Sequence, residues 1–104
     1  MAATAAGSPA EGFVYVMECG GFHKIGWTRA NPRQRLRGIQ VSNPLPVTLV
    51  GVIEGSKMHE AEWHAAFKDK RVRGEWYALT EEDVARVLHD SAGIDWLPGD
   101  DDIA

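Results

Sequence analysis

Apolar and polar positions alternate with period two where the patterned part of the chain begins, and the period lengthens further on. Phe13 to Glu18 and Phe22 to Thr28 are β-rich runs separated by Gly20-Gly21, the pattern of a hairpin closed by a two-residue primed turn. Such a turn fixes the register, so Cys19 faces Phe22, Met17 faces Lys24 and Tyr15 faces Gly26. Alternation then puts Phe13, Tyr15, Met17, Phe22, Lys24, Gly26 and Thr28 on one face. Val14, Val16, His23, Ile25 and Trp27 share the other, which reads as the core face. Gly26 should leave the space above Tyr15 open to an incoming group.

Asn31-Pro32 is a helix start, with Asn as cap and Pro in the first turn, and the helix is expected to run to about Gln40 on a stripe of Pro32, Leu36 and Ile39. Asn43-Pro44-Leu45-Pro46 breaks it. Val47 to Ile53 is a continuous apolar run suited to a buried central strand. Gly55-Ser56 opens a second helix, about Lys57 to Phe67, and a basic loop from Lys68 to Gly74 leads into a short segment, Glu75 to Leu79. Thr80 with Asp83 matches a capping box for a last helix to about Ser91, closed by Gly93. This order predicts an α+β domain, a small sheet covered by helices.

Charge sharpens the picture. The 104 residues carry a net −4, yet no Asp or Glu falls between Cys19 and Ile53, where Lys24, Arg29, Arg33, Arg35 and Arg37 give +5. A concentrated cationic patch inside an acidic chain most often meets phosphate. One cysteine excludes an internal disulfide, and four scattered His give no zinc-finger spacing. No apolar run approaches the roughly 20 residues that span a bilayer. The opening residues read as a disordered leader, the acidic end as a solvated tail, and the setting as reduced and cytoplasmic.

Two groupings carry candidate chemistry. Arg35 lies beside the apolar stripe of the first helix, partly buried at the sheet, where its fork can grip a phosphate. Arg33, Arg37 and Gln40 define the more exposed side, and for both arginines a solvated face competes with nucleic-acid contact. On the hairpin alone, Tyr15 reads as an ordinary strand residue and Lys24 as a solvent-facing charge. In the second helix Glu60, Trp63, His64 and Phe67 share a stripe, with Glu60 and His64 four apart. A carboxylate and an imidazole among aromatic rings need a partner: each other, a cation or a metal. His59 and Glu62 lie off the stripe, facing solvent. A two-His zinc face is absent, because Trp63 stands where the second His belongs. An oxygen ligand such as Glu60 suits one Mg²⁺ or Mn²⁺ ion.

These residues together resemble the GIY-YIG nuclease superfamily, in particular its compact bacteriophage DNA-binding-domain and meiotically-up-regulated-protein-like branch. Phe13-Val14-Tyr15-Val16 stands for the first motif and Lys24-Ile25-Gly26-Trp27-Thr28 for the second. Arg35 stands for the helix arginine, and Glu60, His64 and Gly74-Glu75-Trp76-Tyr77 for the later signature. The resemblance implies a three-stranded, mainly antiparallel sheet flanked by about three helices, with a leader at 1–11, a nuclease domain at 12–92 and an acidic tail at 93–104. It implies catalytic roles for Tyr15, Lys24, Arg35 and His64: Tyr15 as base, Lys24 near the attacking water, Arg35 on the phosphate, His64 in support. Glu60 would hold the ion, and Arg29, Arg33 and Arg37 would touch the nucleic acid. The late Asn of many members is missing, and Glu75 or Tyr77 stands in that region. The function implied is metal-dependent DNA phosphodiester hydrolysis, of bacteriophage or bacterial type. The partner is duplex or branched DNA, and a protein partner or DNA shape supplies specificity. The rivals are an inactive nucleic-acid-binding module of the same fold and a protein-interaction domain.

Overall fold

A computed structural model describes residues 12–89. The leader, the tail and the expected closing Gly93 lie outside the described residues; the last helix, expected to run to about Ser91, ends at Val87 with Leu88 as its cap. The elements are β1 (Gly12–Cys19), β2 (Phe22–Thr28), α1 (Pro32–Val41), β3 (Thr48–Gly55), α2 (Lys57–Ala66), a 3-10 turn (Lys68–Lys70), β4 (Arg71–Arg73), β5 (Trp76–Tyr77) and α3 (Glu81–Val87). The architecture is α+β.

The hairpin forms as the pattern dictates. Gly20 and Gly21 both take positive φ, 60° and 91°, a conformation that glycine adopts without steric cost. Cys19 pairs Phe22, Met17 pairs Lys24 and Tyr15 pairs Gly26. The sheet itself corrects the expectation: it has five antiparallel strands in the order β3-β1-β2-β5-β4, not three. The added pair comes from the stretch read as a basic loop and a short segment. Gly74 turns with φ 56°, so Arg73 pairs Trp76 and Arg71 pairs Tyr77. Strands of three and two residues are too short to show a period.

The central strand is also different. Val47–Ile53 reads as central, but β3 lies at the sheet edge with Val50 exposed, whereas β1 is interior and Val14, Tyr15, Val16 and Met17 are at most 1% exposed. Both faces of β1 are therefore core. One face packs Val14, Val16 and Ile25 with Phe67, Tyr77, Leu79, Val84 and Val87 beneath α2 and α3. The other packs Tyr15, Met17, Val47, Leu49 and Val52 with Leu36 and Ile39 of α1.

Local bonds fix the helices. The Asn31 side chain accepts from the Arg33 amide, which caps α1. Gln40, expected on the exposed side, clamps the following loop instead. Its Nε2 donates to the Leu45 carbonyl at 2.9 Å, and its Oε1 accepts from the Val47 amide at 2.7 Å. His59 likewise has a task at the start of α2, since the Ser56 amide donates to its Nδ1 at 3.0 Å. Thr80 and Asp83 form the expected capping box, each side chain accepting from the other's amide. Lys70 donates to the Asp83 carboxylate and ties α3 to the turn before β4. Among the described residues no helix is long and apolar enough to cross a membrane.

Lys70, first, and the Thr80 amide hold the Asp83 carboxyl down from 3.8 to about 2. A depressed carboxyl stabilises the fold above its unfolded value and loses that contribution as the pH falls through the folded value. Asp83→Asn should therefore lower the melting temperature at pH 7. The gap to wild type should close as thermal melts are taken from pH 4 down to pH 2.

Candidate functional site

Tyr15 sits at the middle of β1, 1% exposed, with the end of its ring lying over Gly26. A Cβ at position 26 would collide with the phenol carbons and oxygen. The glycine thus makes room for the Tyr15 ring itself and not for an incoming group. Arg35 departs from its expected partial burial: the residue is exposed on α1, and its guanidinium reaches back to a side-chain hydrogen bond with Tyr15. That bond first, and then the charge interaction with Tyr15, raise the Arg35 proton affinity above its ordinary value, with burial opposing and Glu75 adding to it.

Lys24 projects from the same face of β2, 12% exposed, and its Nζ lies 2.7 Å from Glu75 Oε1. Lys24 and Arg35 line one cavity of about 480 Å³, together with Gln34, Asn43 and Trp76. The cationic half of the site is therefore a hollow between α1 and the sheet.

The acidic half comes from the other side. Glu60 and His64 stand one turn apart on α2, and each has a ligand atom within 4.8 Å of the other and of a Glu75 carboxylate oxygen. His64 Nε2 lies 2.8 Å from the Ile25 carbonyl, an acceptor, so Nε2 donates there and Nδ1 is the nitrogen that carries the lone pair in the neutral ring. The imidazole also stacks on Tyr77, centroids 5.4 Å apart. Glu60 is 8% exposed. Burial first, and then the Glu75 charge, push its carboxyl above the usual range, while His64, Lys57 and Lys24 pull it down.

Tyr15 and Glu60 thus belong to opposite faces, since α2 packs on the face of Ile25. Glu75 joins the halves. It stands in the turn between β4 and β5, its carbonyl accepts from the Ile25 amide at 3.3 Å, and its carboxylate meets Lys24 on one side and the Glu60–His64 pair on the other. Of the sequence-predicted site residues, Tyr15 pairs with Arg35 directly and Glu60 lies beside His64, while Lys24 contacts Glu75 and acts on Glu60 through its charge. Arg29 is exposed, its guanidinium 5.8 Å over the Trp27 ring, Arg37 is exposed and Arg33 half-buried. These three stand outside the clusters just described.

Two carboxylates and an imidazole form a donor set that fits one divalent ion. The oxygens suit Mg²⁺ and Mn²⁺, and the imidazole favours Mn²⁺ of the two. A cation there would offset the repulsion between Glu60 and Glu75. Without it, the buried Glu60 charge costs stability. Glu60→Gln should therefore raise the melting temperature by a few degrees in metal-free buffer at pH 7. Added Mn²⁺ should stabilise wild type in a thermal-shift titration and leave the variant nearly unmoved.

A family model described as the T5orf172 domain matches residues 12–91. No curated protein and no solved structure matches the chain. The family is phage-associated, nuclease-like and DNA-binding, and it is a different family from the GIY-YIG superfamily. The resemblance drawn from the short motifs is corrected accordingly. Strings of three to five residues such as Lys-Ile-Gly are too short to fix a family, whereas the family model spans residues 12–91.

Proposed function

The chain belongs to the T5orf172 domain family, and within it we propose that the domain is a metal-dependent DNA endonuclease. The observation that carries this reading is Glu75, which brings the Lys24–Arg35 hollow and the Glu60–His64 carboxylate–imidazole pair to one edge of the sheet. Phosphodiester hydrolysis needs cations on the phosphoryl oxygens, an oriented water and a place for its proton. Those groups occur here within one neighbourhood.

In this reading Arg35 binds the non-bridging oxygens of the phosphate from within the cavity that it shares with Lys24. The buried Tyr15 hydroxyl holds the Arg35 fork in place, which makes Tyr15 a positioning residue. Glu60 and Glu75 would hold one Mg²⁺ or Mn²⁺ ion, which would supply Lewis-acid charge for a phosphoryl oxygen and for water. The His64 Nδ1 lone pair takes the proton of the attacking water, its ring fixed by the Ile25 carbonyl and by Tyr77. Lys24, released from Glu75, donates to the departing oxygen. Arg29 and Arg37 touch flanking phosphates, a contact that weakens with salt.

One observation favours a second reading. The Lys24–Glu75 contact already neutralises one carboxylate of the ion site, as a binding module without catalysis would tolerate.

The two readings separate on supercoiled plasmid. With Mg²⁺ or Mn²⁺ the wild-type domain should nick one strand, and Arg35→Ala should reduce the rate by about 100-fold, the usual effect of removing a group that stabilises developing charge. Glu60→Ala should abolish nicking and retain salt-sensitive DNA binding. Binding with no metal-dependent nicking by wild type would establish the inactive module.

A further inference from the structure

A second cavity adjoins the cationic one and shares two of its walls. It measures about 380 Å³ and is lined by Phe22, Trp76, Leu45, Val72, Cys19 and Arg73, with Asn43 and Trp76 common to both hollows. Its character is opposite to that of its neighbour, mostly apolar with one cation at the rim. Phe22, Leu45 and Val72 are 43%, 52% and 55% exposed, half of the large apolar side chains left in water among the described residues. Apolar groups gathered at one hollow point to an occupant.

The walls are held firmly. Leu45 is presented by the Gln40 clamp on its carbonyl, and its Cδ1 packs against Gly20. Phe22 follows the glycine turn, and Trp76 is fixed by its pairing with Lys24 and Arg73. Two aromatic rings on a rigid frame, next to a hollow lined by Lys24 and Arg35 and beside Arg73, combine the features of a surface that reads unpaired nucleotides. Rings accept the face of a base, and cations track the backbone on either side.

We propose that this cavity receives an unpaired nucleobase whose own phosphate occupies the Lys24–Arg35 hollow. The proposal rests on the phosphate-binding reading of that hollow and names the substrate class: DNA with at least one unstacked nucleotide at the bound phosphate, such as a single strand, a gap or a frayed end. A base inside a continuous duplex is stacked on both faces and cannot enter without being extruded.

The test uses the full chain in metal-free buffer, with fluorescence anisotropy of dye-labelled oligonucleotides at fixed salt. Three probes are compared: a paired duplex, the same duplex with one single-stranded gap, and that gapped duplex with abasic sites through the gap. The gapped probe should bind about tenfold more tightly than the duplex, and the abasic probe should fall back to the duplex level, as expected for one base–aromatic stack. Phe22→Ala should erase the preference for the gapped probe and leave duplex binding unchanged, while Phe22→Trp retains it. Phe22 is largely exposed, and melting curves of both variants verify folding.

Equal binding of the abasic and intact gapped probes, unaffected by Phe22→Ala but weakened by Arg35→Ala, would overturn the proposal and leave the phosphate reading standing. The cavity would then belong to another occupant, such as an apolar side chain of a protein partner. No binding of any probe at low salt would overturn both.

Discussion

The Glu75 carboxylate is the single group on which the site depends. It lies 2.7 Å from Lys24 and within 4.8 Å of ligand atoms of Glu60 and His64, so it belongs at once to a cation pair and to an acidic cluster. The sheet would otherwise keep these apart, because Tyr15, Lys24 and α1 occupy one face and α2 the other. Glu75 overcomes that separation by standing in the turn that brings β5 alongside β2, where pairing ends at Lys24. Its position depends on Gly74 and on the two-residue strand that follows. The smallest strands of the fold therefore place its most consequential side chain.

The electrostatics run in two directions. Asp83 is satisfied by Lys70 and the Thr80 amide, and its charge ties α3 to the open end of the β4–β5 hairpin. Glu60 is buried beside another carboxylate, and its charge works against the fold. Burial beside a second carboxylate is the property on which the metal-holding role proposed for Glu60 rests. The Tyr15–Arg35 bond has a similar logic. A wholly buried phenol holds an exposed arginine, so the fold's interior determines where a surface cation points.

Much of this was legible in the chain. The register of β1 and β2 follows from Gly20-Gly21, the start of α1 from Asn31-Pro32 and the cap of α3 from Thr80 and Asp83, because local chemistry decides each. Glu60 and His64 announce themselves by helical spacing among aromatic residues. The β4–β5 pair was not legible, since Arg71–Arg73 and Trp76–Tyr77 are shorter than any detectable period and depend on docking to β2. Nor was the position of β3, because apolar continuity reports burial of side chains and not which edges of a strand are paired. Tyr15 under Gly26 was read as open space, for the sequence shows that a Cβ is missing but not what fills the gap. Glu75 is legible only as a member of the later signature that stands where the late Asn is missing, since its partners Lys24, Glu60 and His64 lie 51, 15 and 11 positions away and no local pattern links them.

The most direct measurement is anomalous diffraction from crystals grown with Mn²⁺. The account predicts one ion bounded by the carboxylates of Glu60 and Glu75, with the His64 Nδ1 facing it but not ligating it and the Lys24 ammonium withdrawn from Glu75. An undisturbed Lys24–Glu75 contact, with manganese bound elsewhere or nowhere, would contradict it.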